Sequence, residues 1–216
     1  MDSPAALIAA IQAGEIQPVG DLLAQDASLA SATNQQGVSA IMLALYHRQS
    51  EILKLLLAAK PSLDVFEATS TGDTQRLSQL LAADPALISA CSVDGFSPLH
   101  FAGFFAQEQA AKILLDRGAD VAFVAGNSMH VMPLHSAVTA RSLDIVRALL
   151  DHGAPPNARQ QMGWTPLHAA AQNGDRTIVQ LLLDHGADST LANDDGVTAS
   201  TLATQGGHLD LATLLA

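Results

Sequence analysis

The sequence predicts an all-α fold, a solenoid of about seven stacked helix-turn-helix units with short β-turn fingers. Three observations carry this. A glycine turn and helix start, Gly163-Trp164-Thr165-Pro166-Leu167-His168-Ala169-Ala170-Ala171, recurs along the chain. Its leucine-like position is filled by Leu7, Ile41, Val65, Leu99, Leu134, Leu167 and Ser200, at intervals of 34, 24, 34, 35, 33 and 33 residues. The apolar content, 49% of residues with only 4% aromatic, rests mainly on Ala and Leu, which suits thin helices packed closely.

Each part of the unit has a local reason. Thr165 suits the N-cap, its hydroxyl accepting an orphan backbone N–H, and Pro166 falls at the first helical position, where a missing N–H costs nothing. His168, three residues after the cap, is placed to donate back to it in the manner of a capping box. Small Ala169, Ala170 and Ala171 let a neighbouring helix come close. A second helix follows, as in Ile145-Val146-Arg147-Ala148-Leu149-Leu150, with apolar residues at helical spacing. Gly118, Gly153 and Gly186 end these helices in the left-handed conformation, with Arg117, His152 and His185 in the last turn, where a cation suits the helix dipole. A polar stretch then returns the chain as a β-turn finger.

The units run 1–36, 37–61, 62–93, 94–127, 128–160, 161–193 and 194–216, within a single domain, 1–216. Units one and two repeat as units three and four at an offset of 58 residues, for example Gly14 with Gly72, Asp26 with Asp84 and Gly37 with Gly95. Between units two and three, Ala58–Asp64 is too short for a finger, which predicts a direct helix-to-helix turn and a gap in the row of fingers. Two extra residues within Ala122–Met132 predict a longer finger carrying Phe123. Thr198-Ala199-Ser200-Thr201 puts polar residues at the stacking positions of unit seven, as a terminal cap requires.

Ser97-Pro98-Leu99-His100, Pro133-Leu134-His135 and Thr165-Pro166-Leu167-His168, with Gly118-Ala119-Asp120, Gly153-Ala154 and Gly186-Ala187-Asp188, resemble the ankyrin repeat family. The resemblance is strong over 94–216 and partial over 1–93. It implies a concave surface of fingers and first helices, used to bind another protein, with no deep pocket by default. The family's variable positions fall on Gln35, Gln36, Val38, Tyr46 and His47 in unit two, and on Val93, Asp94, Phe96, Phe104 and Phe105 in unit four. In units five and six they are Ser128, Met129, Val131, Thr139 and Ala140, then Gln161, Met162, Trp164, Gln172 and Asn173. Unit seven adds Asp194, Asp195, Val197, Gln205 and Gly206. The expected contact residues are Tyr46, Phe96, Phe104, Phe105, Met129, Met162, Trp164, Gln172 and Asn173, because exposed aromatics and Met in one patch make partner anchors. A second reading stays open here, in which Phe96 and Trp164 pack against neighbouring fingers and Phe104 and Phe105 support the long one.

Other functions find little footing. The net charge of −11 is spread evenly, 9 acids and 4 bases in residues 1–93 against 12 and 6 in 94–216, which argues against nucleic-acid binding. Met1-Asp2-Ser3-Pro4 lacks the basic stretch of a signal peptide, and no apolar run approaches ~18 residues, so a cytoplasmic protein without membrane contact is expected. The single Cys91 excludes an internal disulfide and has no local base beside it. His130 and His135 lack a Cys or carboxylate at metal-ligand spacing. Gly206-Gly207 reads as a helix end rather than a phosphate turn, and Asp194-Asp195 as a solvent-facing turn. The leading expectation is a non-enzymatic, monomeric interaction module with no cofactor, acting as adaptor, inhibitor or assembly factor. Competing with it are a self-associating scaffold, and a metalloprotein or enzyme using His130, His135 or Cys91.

Overall fold

The computed structural model describes residues 3–60 and 62–216. Met1, Asp2 and Pro61 lie outside the described residues, and with them the outer limits set for the first two units. Among the described residues fourteen α-helices run in seven consecutive pairs: α1 (Ser3–Ala13) with α2 (Ile16–Gln25), α3 (Ala40–Tyr46) with α4 (Ser50–Ala59), α5 (Val65–Thr71) with α6 (Thr74–Ala83), α7 (Pro98–Phe104) with α8 (Glu108–Asp116), α9 (Pro133–Thr139) with α10 (Leu143–Asp151), α11 (Pro166–Gln172) with α12 (Arg176–Asp184), and α13 (Ala199–Gln205) with α14 (Leu209–Leu214). First helices pack in series from α1 to α13, and second helices pack α2 on α4, α6 on α8, α8 on α10 and α10 on α12. This is the stacked all-α solenoid that the sequence predicts.

Helices of six to eleven residues are too short to hold in water by themselves, so their stability comes from stacking. The repeated apolar position does this work: Leu7, Ile41, Val65, Leu99, Leu134 and Leu167 are all buried. One connected apolar cluster extends from Leu7 to Leu215. Gly118, Gly153 and Gly186 follow their helices at φ 83°, 84° and 86°, the left-handed exit expected. The rings of His152 and His185 bond the carbonyls of Ala148 and Leu181 through Nδ1, at 2.7 and 2.9 Å.

The 58-residue offset has a structural cause. After α2 and α6 the chain enters 3₁₀ turns at Ala27–Ser31 and Pro85–Ser89, where the Asp26 and Asp84 carboxylates accept the N–H groups of Ser28 and Ala86 at 2.9 and 3.0 Å. α4 ends at Ala59 and α5 begins at Val65, too close in sequence for a finger to fit between them. A capping box fixes the start of α5. The Asp64 carboxylate accepts the Glu67 N–H at 2.8 Å, and buried Glu67 accepts the Asp64 N–H at 3.0 Å and Lys60 Nζ at 2.7 Å.

The histidines of the Pro-Leu-His starts are stitches between units. In α7, α9 and α11 the Nε2 of His100, His135 and His168 lies 3.0, 3.1 and 3.0 Å from the carbonyls of Val131, Ala158 and Val197, all in the following finger. A carbonyl only accepts, so Nε2 carries the proton and Nδ1 is the acceptor. The sequence expectation had the histidine donating to its own cap and is corrected on this point. Nδ1 receives the backbone N–H of Ser97, Met132 and Thr165 at 3.3, 3.1 and 3.2 Å. The Thr165 hydroxyl sits 2.7 Å from that nitrogen and is engaged with the ring, whereas the His168 N–H bonds the Thr165 carbonyl at 3.1 Å.

Burial pushes His100 and His135 down to about 4 and lowers His168 as well, each opposed by its bond to the next finger. Unfolded histidine protonates near 6.5, so as pH falls from 6.5 toward about 4 the unfolded chain takes up protons that the fold refuses. The stabilisation is therefore complete above 6.5 and is lost toward 4, each pKa unit being worth about 1.4 kcal/mol. Urea unfolding followed across this range should show a falling midpoint. A His100→Gln/His135→Gln variant should be less stable at neutral pH but lose less on acidification.

Candidate protein-binding groove

The fingers are built by side chains that hold their own backbone. Asn34 accepts the N–H groups of Gln36 and Val38 at 3.0 and 2.9 Å, and Asn193 accepts those of Asp195 and Val197 at 3.0 and 2.9 Å. Ser92 takes the same place through its hydroxyl, accepting the Phe96 N–H at 3.1 Å. These are the β-turn fingers expected, two of them closed by the bridges Thr33–Ser39 and Ala192–Thr198. Each turns on a left-handed residue, Gly37, Gly95, Gly163 and Gly196, and in the finger before α9 that place belongs to His130, at φ 52°. Histidine is among the residue types that tolerate this region, so His130 is a turn residue.

Backbone bonds zip the later fingers together. Gly126 N–H reaches the Gly95 carbonyl at 2.9 Å, Gln161 N–H that of Met129 at 2.8 Å, and Asp194 N–H that of Met162 at 3.0 Å. Arg159 bonds the Ala192 carbonyl at 3.1 Å and Asp194 Oδ1 at 3.0 Å, so Asp194 ties two fingers as well as meeting solvent. The longer finger closes on itself from Ala125 N–H to the Val131 carbonyl at 2.8 Å, with Phe123 edge-on to His100 at 5.8 Å.

The gap expected in the finger row is closed. A Cβ on Gly37 would lie 3.2 Å from Val93 Cγ1, so the finger before α3 meets the finger before α7. Tyr46, at the end of α3, donates its hydroxyl to Asp94 Oδ2 at 3.2 Å, a contact 48 residues apart in sequence. With no finger on the link to α5, nothing separates the two. Ser70, which holds in α5 the place of Tyr46 in α3 and Phe104 in α7, is too small to keep those two rings apart, and they meet at 6.5 Å.

An open groove of about 930 Å³ runs along this junction. Tyr46, Asp94, Phe96 and Phe104 form one side, Asn127, Met129 and Thr139 the other, over buried His100, Phe101 and His135. Of the expected contact residues it brings together Tyr46, Phe96, Phe104 and Met129. Phe104 and Met129 are 49% and 43% exposed. Phe105 turns inward, stacked on Phe101 at 6.3 Å and touching Phe104 and Tyr46, so it supports the wall. Phe96 does both things, lining the groove while packed on Phe101 at 5.8 Å and His100 at 5.5 Å. Trp164 lies half-buried on His168 at 5.9 Å, one unit beyond the groove. Exposed Met162 is beside it on the finger, and Gln172 and Asn173 close α11.

Sequence reasoning passed over Asn127, whose amide donates to the Asp94 carbonyl at 2.7 Å and locks the two sides together. Its signal was its type, an asparagine opening a finger as Asn34 and Asn193 do. Burial, reinforced by the Asp94 charge, holds the Tyr46 phenol well above its usual range, so it stays a donor at neutral pH. Both nitrogens of His135 are committed, to Met132 N–H and the Ala158 carbonyl, leaving no lone pair for a metal. Among the described residues no group of three His, Cys, Asp or Glu is placed to hold one, and no helix is long and apolar enough to cross a membrane.

Helical pairs stacked in register, fingers zipped along one edge and an apolar groove beside them define a solenoid of the repeat-protein class. The family model for ankyrin repeats, in three copies, matches residues 65–160 and 134–216. The chain belongs to the ankyrin repeat family. It is 39% identical over 92 residues to a protein of Oryza sativa subsp. japonica named "Probable E3 ubiquitin-protein ligase XBOS31", a match covering 42% of this chain and 20% of that one. It is 29% identical over 145 residues to the human neurogenic locus notch homolog protein 1, covering 63% of this chain and 6% of the relative. The mouse B-cell lymphoma 3 protein homolog is 30% identical over 135 residues, 61% of this chain and 25% of that protein. The chain thus spans a quarter or less of each of these relatives. Membership in this family supports a role as a protein–protein interaction module.

Two stability measurements probe the frame. A Cβ on Gly95 would fall 2.9 Å from the Gly126 carbonyl carbon at a φ of 83°, while one on Gly118 would meet nothing within 4 Å. Gly95→Ala should cost about 2 kcal/mol or more in urea unfolding and Gly118→Ala only about 1 kcal/mol. Phe105→Ala, at a partly buried ring, should cost about 1–2 kcal/mol, and exposed Phe104→Ala under about 1 kcal/mol.

Proposed function

We propose that this chain is a non-enzymatic binding module that holds a segment of another protein in the groove between α3 and the finger before α9. Support comes from one arrangement: Phe104 and Met129, both exposed, face a shared groove whose two sides are fixed to each other by backbone and side-chain hydrogen bonds. Apolar anchors on a frame ordered in advance bind with little loss of freedom, which is where affinity is gained. The contact surface then comprises Tyr46, Phe96, Phe104 and Met129, extended by Met162, Trp164, Gln172 and Asn173 on the next unit. The protein works as a cytoplasmic monomer, as adaptor, inhibitor or assembly factor, and its charge of −11 turns nucleic acid away.

A photo-crosslinking residue placed at Phe104, and separately at exposed Gln180 on α12, tests this in the native cell. A protein adduct formed from position 104 and absent from position 180 is the expected result. The same adducts from both positions, or none from 104, would remove the groove reading.

A further inference from the structure

The groove has a chemical preference as well as a shape. Asp94 is the one charged residue among those that line it, because His100 and His135 are held neutral by burial. Among the described residues no lysine or arginine pairs with Asp94; its side-chain partner is the neutral Tyr46 hydroxyl at 3.2 Å. The Asn127 amide goes to the Asp94 backbone carbonyl, not to the carboxylate. The Asp94 carboxylate thus stands on the lining of an apolar groove with no cation paired to it, bonded to Tyr46, whose ring meets that of Phe104. A cation drawn to Asp94 would lie within reach of those aromatic rings.

Resting on the binding role just assigned, we propose that the occupant is an extended partner segment with one basic side chain, arginine or lysine, on Asp94 and apolar residues on either side. The cation replaces water at the carboxylate with a charge-assisted bond and lies against Tyr46, while the apolar neighbours cover Phe104 and Met129. An acidic segment would meet Asp94 with like charge in a site that water leaves on binding, and is rejected. A wholly apolar segment would bury the carboxylate without a partner.

Selection of a random displayed peptide library on the full chain, followed by binding measurements on the enriched peptides, tests this. Enriched peptides should carry one arginine or lysine between apolar residues, and replacing that residue by glutamine should weaken binding about ten-fold. Asp94→Asn, which keeps an acceptor for the Tyr46 hydroxyl, should weaken the basic peptide by a similar factor and leave the glutamine peptide unchanged. Asp94→Lys should turn the selection toward acidic peptides. If peptides bind and are lost in Phe104→Ala, yet show no basic residue and no response to Asp94→Asn, the charge assignment is overturned and the groove stands. If no enriched peptide responds to Phe104→Ala, the groove reading falls and this inference with it.

Discussion

No pair of helices in this chain stands by itself. First helices of about two turns bury one apolar side and leave the other to be covered by a neighbour, so each unit is stable only through the units beside it. Register between neighbours is therefore the constraint from which the rest follows. Apolar packing alone specifies it loosely, since a slab of Leu and Ala slides at little cost. The imidazoles of His100, His135 and His168 supply direction. Each fixes its own helix start through Nδ1 and the next finger through Nε2, so a shift in register would orphan a buried ring nitrogen.

Where the pattern is regular, it builds the frame; the groove comes from two departures in length. A missing finger between α4 and α5 lets Val93 come against Gly37 and Tyr46 reach Asp94. The longer finger before α9 then reaches back, Gly126 onto Gly95 and Asn127 onto Asp94, and raises Met129 on the opposite side. One loop too short and one too long enclose a space that neither would form alone.

This division explains what was legible in the sequence. Pro-Leu-His starts, glycine exits and the apolar stripe are local, so the helices, their pairing and the fingers could be read from spacing alone. The two-residue insertion was local as well, and so was the asparagine signal at Asn127 that went unread. Closure of the finger row was not, because it rests on a contact between Gly37 and Val93, in fingers far apart along the chain. The proton position on His168 also escaped. A capping histidine looks the same from its own helix whether it donates or accepts, and the Val197 carbonyl that decides it is 29 residues away. Phe104 and Phe105 were indistinguishable for a related reason: they straddle the end of α7, where helical phase ceases to say which ring turns inward. His130 could have been read. It stands three residues before Pro133, where the other fingers carry glycine, and a position that demands a left-handed backbone is a poor place for a metal ligand to be chosen for its ring.

The same logic bears on why charge sits where it does. Most of the acids in this chain face solvent, where a net charge of −11 keeps an apolar, alanine-rich stack dispersed. Asp94 differs by its surroundings. Its backbone carbonyl is tied to Asn127 and its carboxylate to Tyr46, so the charge is fixed in direction at the junction of the two loops that make the groove. Desolvating an anchored carboxylate costs free energy that the solvent-facing acids never incur, and that cost is recovered only when a cation arrives with the partner. A surface made of Phe104 and Met129 alone would hold any apolar segment. With Asp94 on the same lining, shape supplies the grip and the carboxylate supplies the choice.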